Sequence, residues 1–416
     1  MMKYTLYRNI GLLMTCEGAM KKQGRRIQEQ DLSLAEGHSM VVGGGKICWI
    51  GPHRQLPRQF KSQKEIDCRD HQIYPGFVEC HTHIGFAGRR ADEFEQRLQG
   101  VSYQEINRRG GGIQSTMKQT RAMSAVNLQK ITQIRTNHFV RQGITTLEAK
   151  SGYGLDLKTE LKLLEVYSLL KGPRLIKTYL GPHSLPPEFS GHDEYIDFIC
   201  SDILPKIAKK KLAERVDIFV EKGFFTPEQA NRYFKVARAL GFEAVVHADQ
   251  LSLSGGSEVA IKHGALSADH VIQIGETEIH ALSESEVTCV LLPLADFYMR
   301  CAYPKARQLI DAGARVAVAT DFNPGSSPSQ NVNLTGLLSR LEMKMSLPEV
   351  IGAYTVGAAY ALNRNNLVGS LEVGKFADFV MTRKDWSELF YSTDAFEFDH
   401  VFVSGKKIYS ALRNKI

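Results

Sequence analysis

The sequence predicts an α/β fold, a (β/α)8 TIM-like barrel beside a small β-sandwich domain assembled from both chain ends. Three observations carry this. Eight apolar, β-branched runs of barrel-strand length alternate with longer stretches of helical spacing. Several of these runs follow a glycine that marks a helix-to-strand turn, namely Gly143, Gly241, Gly264 and Gly313. Four of the runs stop at His or Asp, in the segments Pro75–His83, Ala244–Gln250, Ser267–His270 and Val316–Gly325. Parallel strands of one barrel deliver the ends of their strands to a common rim, where such groups converge.

The predicted strands are Gly76–Cys80, Thr145–Ala149, Leu175–Leu180, Val216–Val220, Ala244–Val246, Ala268–Ile272, Cys289–Leu294 and Val316–Thr320. Thr159–Lys171 shows the intervening helical pattern, with Leu161, Leu164 and Leu169 expected on one face. The flanks read differently. Val41–Gly51 is two short strands across a Gly-rich turn, and Leu371–Met381 and Val401–Tyr409 both read as β-hairpins. The expected division is residues 1–74 and 366–416 for the β-sandwich and 75–365 for the barrel.

The bulk properties exclude several classes. With 416 residues, 43% hydrophobic and 23% charged, the chain has the composition of a soluble protein. The net charge of +7 is spread out, and its densest run, Lys206–Lys211, lacks interleaved aromatic residues. A solvated helix face explains that run better than nucleic-acid binding. No segment has the apolar length of a membrane span or a signal core. Seven cysteines without regular spacing fit a reducing compartment, and a cytoplasmic location is expected. Cys80 points away from the face shared by its histidine neighbours and reads as a packed residue.

His81 and His83 stand two residues apart, so on a strand both face the same side and can reach one ion. Alone, that pair would read as two hydrogen-bonded histidines. His247 and Asp321 end two further strands. Three imidazoles and one carboxylate suit a single divalent or trivalent metal ion; Zn²⁺ is expected, and iron or manganese accepts the same ligand types. With a position left open for water, such a site supplies a nucleophile near neutral pH. His270 would over-fill a tetrahedral site, so a supporting or proton-transfer role is expected of it.

An HxH on the first strand, a His on the fifth, another on the sixth and an Asp after the eighth together resemble the amidohydrolase superfamily. Phe94–Thr116, Thr145–Leu164, His247–Ser252, Ala319–Pro328 and Gly369–Val380 are similar to the imidazolonepropionase family, and the likeness runs over nearly the whole chain. It implies a hydrolase of histidine degradation that opens the ring of 4-imidazolone-5-propanoate with water to give N-formimidoyl-L-glutamate. It implies His81, His83, His247 and Asp321 as metal ligands. It implies Arg90 as the grip on the propionate carboxylate, a role suited to the bidentate guanidinium fork; its neighbour Arg89 is indistinguishable on sequence grounds alone. Tyr153, His183, Asn323, Gly325 and Ser326 match substrate- or product-binding positions. Small residues at the last two would let backbone N–H groups approach an anion.

One position departs from some family members, which carry Glu three residues after the strand-five histidine. Here it is Gln250, and an amide cannot act as a base. The base is then expected to be Asp321 or His270, with Gln250 positioning water or the substrate ring. Lys222 at the end of the fourth strand keeps a rival open, a two-metal dihydroorotase- or hydantoinase-like enzyme that uses a carboxylated lysine. Lys150 is the other lysine near a strand end and is expected in the substrate loop. A non-catalytic barrel that only binds its ligand is a third possibility, opposed by the complete ligand set. A small anionic substrate and a homodimer are the expected partners, with no nucleic acid and no membrane.

Overall fold

The computed structural model describes residues 3–60, 64–101, 105–106 and 109–411. Parts of the Phe94–Thr116 segment therefore lie outside the described residues.

All eight predicted strands form one parallel sheet in sequential order. They are β1 (Phe77–Glu79), β2 (Ile144–Lys150), β3 (Arg174–Tyr179), β4 (Arg215–Val220), β5 (Glu243–Ala248), β6 (Ser267–His270), β7 (Thr288–Leu291) and β8 (Arg315–Val318). The ring closes just past the ends of β1 and β8. There Thr82 bridges Phe322 in parallel, and the His83 N–H donates to the Phe322 carbonyl at 2.9 Å. Glu79 reinforces the seam by accepting from the Thr320 N–H at 3.1 Å. Its carboxyl has no place among the metal-donor groups; burial pushes it up to about 8.

The turn glycines behave as their positions demand. Gly143, Gly241, Gly264 and Gly313 all have left-handed φ, between +56° and +101°, which costs glycine little. The helix after β2 spans Leu157–Ser168, not Thr159–Lys171. The Asp156 carboxylate caps it by accepting from the Thr159 N–H at 2.6 Å. Its buried face includes Leu163, Leu164 and Tyr167, while Leu169 lies past its end and is exposed. Cys80 is packed with Val78, Ile176 and Val290, as expected.

Both chain ends build the flanking sheets. One has four strands, from Tyr4–Ile10, His38–Gly43, Lys46–Pro52 and Lys64–Asp67. The other has six: Leu12–Met14, Leu34–Ala35 and Gln72–Pro75 from the first part of the chain, Phe379–Thr382, His400–Val403 and Lys406–Ser410 from the last. Tyr7 of the first sheet packs edge-on against Phe379 and Phe402 of the second, at centroid distances of 5.1 and 5.8 Å. Val41–Gly51 and Val401–Tyr409 are hairpins, but Leu371–Met381 is not. The Leu371 N–H donates to the Thr15 carbonyl, and the Gly374–Ala377 stretch pairs with Gly45–Ile47 instead, the Ile47 N–H donating to the Lys375 carbonyl and the Ala377 N–H to the Gly45 carbonyl. Only Phe379–Thr382 is strand, held between Gln72–Pro75 and His400–Val403. Among the described residues no helix is long and apolar enough to cross a membrane.

Candidate metal centre

Strand geometry brings the predicted ligands together. The Glu79-to-His83 stretch continues β1 into the barrel mouth, His247 sits near the end of β5, His270 ends β6, and Asp321 follows β8. The rings of His81 and His247 are 4.6 Å apart between centroids, and His83 lies 5.3 and 5.4 Å from them. Asp321 Oδ1 stands 3.4 Å from both His81 Nε2 and His83 Nε2. His81, His83 and His247 each offer a nitrogen within 4.8 Å of the others'. Asp321 holds a left-handed φ of +51°, and His270 one of +78°. Left-handed backbone is uncommon outside glycine, Asp and His being among the residues that tolerate it best, and such positions cluster at functional sites.

The burial and partners of the donor atoms also fit a single metal ion. His81 Nε2, His247 Nε2 and Asp321 Oδ1 are buried and lack hydrogen-bond partners. Buried polar atoms left this way are costly unless something not made of protein satisfies them. The opposite nitrogens are fully engaged. His81 Nδ1 meets Asp269 Oδ2 at 2.6 Å, and His247 Nδ1 meets Asp217 Oδ2 at 3.0 Å. A carboxylate on Nδ1 fixes the tautomer that leaves the Nε2 lone pair facing the centre. Burial lowers the His83 pKa to about 4, keeping that ring neutral as a donor must be. Burial would raise the Asp321 carboxyl, but His81 and His83 outweigh it and hold it well below the usual carboxylate range.

A cavity of about 340 Å³ opens over these groups. Every other residue anticipated from the sequence except Gly325 lines it: Arg90, Tyr153, His183, Gln250, His270, Asn323 and Ser326. His183 stacks on His83 at 5.1 Å and 15°, and its Nδ1 is 3.0 Å from the Gly152 carbonyl. Burial, then the neighbouring His83 and His247, keep it well below its ordinary pKa. Tyr153 lies 5.4 Å from His183. His270 is 5.3 Å from His247, with Nδ1 buried and unpartnered. Phe219, Met299 and Cys301, not anticipated from the sequence, complete the apolar wall.

The structure separates the two adjacent arginines. Arg90 is buried against the cavity, its Nε donating to Glu93 at 2.7 Å, whereas Arg89 is exposed. Gly325 also lies against Arg90. Its N–H and that of Ser326 both donate to Asn323 Oδ1 at 2.8 Å. A Cβ on Gly325 would stand 2.0 Å from Arg90 Nη1; what the glycine admits is the guanidinium itself. Lys222 is exposed, so the lysine required by a two-metal site at the fourth strand is not directed into the barrel. Lys150 is not part of the substrate loop. It is wholly buried beneath the centre, with Nζ 2.7 Å from Asp217 and 3.4 Å from Asp269.

Four supporting residues escaped the sequence reading: Asp217, Asp269, Glu148 and Glu160. The signal was present as charges at alternate positions inside apolar strands, in TTLEAK, RVDIFV and SADH. Glu160 acts from a helix. Its buried carboxylate accepts from the N–H groups of Gly152, Gly154 and Leu155 at 2.7–3.2 Å, shaping the turn that carries Tyr153.

Comparison with known proteins agrees with this geometry. Residues 72–408 match the model of the Amidohydrolase family. An imidazolonepropionase from Bdellovibrio bacteriovorus is 57% identical over 411 residues, covering 98% of this chain and 97% of that one. Those from Porphyromonas gingivalis and Geobacillus kaustophilus are each 39% identical, over 97% and 89% of this chain and the same shares of theirs. Among solved structures, an adenosine deaminase from Xanthomonas campestris with bound zinc superposes with a TM-score of 0.71 at 17% identity, covering 97% of this chain and 92% of that one. An atrazine chlorohydrolase from Arthrobacter aurescens complexed with zinc does so with a TM-score of 0.70 at 16% identity, covering 98% and 95%. The fold and the site define a hydrolase of the amidohydrolase family. Within it, the chain belongs to the imidazolonepropionases.

Proposed function

We propose that this chain hydrolyses 4-imidazolone-5-propanoate to N-formimidoyl-L-glutamate, the third step of histidine degradation, at the centre described above. Full-length identity of 57% to an imidazolonepropionase carries the proposal. The site chemistry supports it: nitrogen and carboxylate donors and a buried arginine line one cavity.

His81, His83, His247 and Asp321 would hold the ion. Zn²⁺ suits three imidazoles and a carboxylate, and zinc accompanies both solved relatives; iron accepts the same donors. When bound, the ion supplies the Lewis acidity that activates water near neutral pH and polarises a carbonyl. The remaining work falls to side chains. Arg90, oriented by Glu93, binds the propionate carboxylate and sets the ring's distance from the histidines. Tyr153 and His183 wall the ring, with Asn323 and Ser326 facing it from the β8 side. Asp321, held anionic, takes a proton from the attacking water. As the ring C–N bond breaks, that proton passes to the departing nitrogen. His270 presents a neutral imidazole to the developing oxyanion or relays the proton. Gln250 positions and does not accept protons.

A cytoplasmic location and a homodimer go with this assignment. The test is a substrate panel: 4-imidazolone-5-propanoate generated in place from urocanate, beside hydantoins and dihydropyrimidines. Formation of N-formimidoylglutamate is expected. Turnover of a hydantoin or dihydropyrimidine in its place would move the chain to another cyclic-amidase activity.

A further inference from the structure

Beneath the histidines lies a buried cluster of five charged groups, three of which, Lys150, Glu148 and Arg215, have no part in the proposed reaction. Lys150 Nζ stands 2.7 Å from Asp217 Oδ2, 3.1 Å from Glu148 Oε1 and 3.4 Å from Asp269 Oδ2. Arg215 pairs with Glu148 and donates to Thr178. All five side chains are at most 1% exposed. Burying this many charges is expensive, and a well-packed apolar cluster would give equal or better stability. Stability alone is therefore a weak account of it.

The connectivity indicates a role for the cluster. Asp217 and Asp269 are the two carboxylates that hold Nδ1 of His247 and His81. Lys150 pairs with both. It reaches them from the end of β2, through the barrel interior to β4, two strands along, and to β6 opposite. The residue is itself anchored from behind: the Tyr167 hydroxyl donates to its carbonyl at 2.9 Å, and its N–H donates to the Thr82 carbonyl, between the two metal-site histidines of β1. Asp217, His247 and Asp269 on their own have the spacing of a cation site, and the ammonium lies against both of its carboxylates.

We propose that Lys150 is a positioning residue for the metal centre, a resident cation that clamps Asp217 and Asp269 so that His247 and His81 both present Nε2 to the ion. The mechanism is geometric. One ammonium with three donors ties two carboxylates on different strands into one arrangement. Each carboxylate then dictates the rotation of one imidazole. Without the clamp the two like-charged carboxylates repel, and the rings lose their common aim.

The inference rests on the centre being a metal site, so the first measurement is Zn²⁺ binding by the unaltered protein, in competition with a chromophoric chelator. Failure of that protein to bind would sink the metal reading itself. Given binding, Lys150→Met is expected to weaken Zn²⁺ affinity ~10–100-fold, the usual cost of removing an outer-shell partner. Lys150→Met/Glu148→Gln removes one charge of each sign and keeps the cluster's balance should the single variant not fold; it is expected to show the same weakening. Unchanged affinity in either folded variant would overturn the proposal, since a merely structural lysine would alter melting temperature alone. A third reading needs no variant. With ¹⁵N-labelled lysine, the Lys150 ammonium resonance of the unaltered protein should move when the metal is withdrawn, and a resonance that stays put contradicts the clamp.

Discussion

Asp321 and Gln250 differ in what they can do to a proton, and that difference is measurable. Asp321→Asn should abolish turnover even where metal is retained, because an amide accepts no proton from water. Gln250→Glu should leave turnover in place. Near-normal kcat in a metal-loaded Asp321→Asn protein would remove Asp321 from the base role. Arg90 offers a second test at this scale. Arg90→Lys keeps the charge and loses the bidentate fork. Loss of one charge-assisted hydrogen bond is worth ~1.5–3 kcal/mol, so KM should rise ~10–100-fold. Gly325→Ala should act in the same direction, since its methyl would stand 2.0 Å from Arg90 Nη1. Kinetics of the two variants that showed a fall in kcat with KM unchanged would contradict the assignment. The ligand residues were legible in the sequence because each ends an apolar run. Asp217 and Asp269 were not, because a carboxylate inside a strand reveals its partner only once the neighbouring strand is known.

At the scale of elements, the turn after β2 depends on one carboxylate. Glu160 satisfies the N–H groups of Gly152, Gly154 and Leu155 in a fully buried setting. Glu160→Ala would strand these donors at ~1–3 kcal/mol each if water did not enter. It should lower the melting temperature and raise KM through Tyr153; a variant with wild-type values of both would show that the turn holds itself. The six-stranded sheet carries a pH dependence. His400 stacks on His71 at 6.0 Å, with Asp399, Arg383 and Lys407 around the pair. Burial lowers His400 to about 4 and also lowers His71. The unfolded chain therefore takes up protons near pH 6.5 while the folded chain does not. Stability present above that pH should be lost as the pH falls toward 4. His400→Gln should flatten this limb in thermal melts from pH 7 to 4, and an unchanged limb would exclude His400 as its source. Strand positions were readable from period and glycine punctuation. Leu371–Met381 does not close on itself because its partners, Thr15 and Gly45–Ile47, lie far away in sequence.

For the molecule as a whole, both chain ends are needed to complete one six-stranded sheet, whose Gln72–Pro75 strand leads directly into β1 and the first two histidines. The barrel then gathers ligands from β1, β5 and β8 onto one rim, and the supporting carboxylates from β4 and β6 beneath it. Closure of the ring is what converts separate strand endings into a donor set. The fold class and the residues gathered at the rim could be read from one sequence; the arrangement of charge under the centre depended on closure and could not. The central claim is that this centre opens 4-imidazolone-5-propanoate by metal-assisted hydrolysis. The most direct measurement follows N-formimidoylglutamate formation by the protein as purified, after treatment with a strong chelator, and after return of Zn²⁺ or Fe²⁺. Loss of product on chelation and recovery on return of an ion is the predicted result; undiminished product from a metal-free, folded protein would contradict the account.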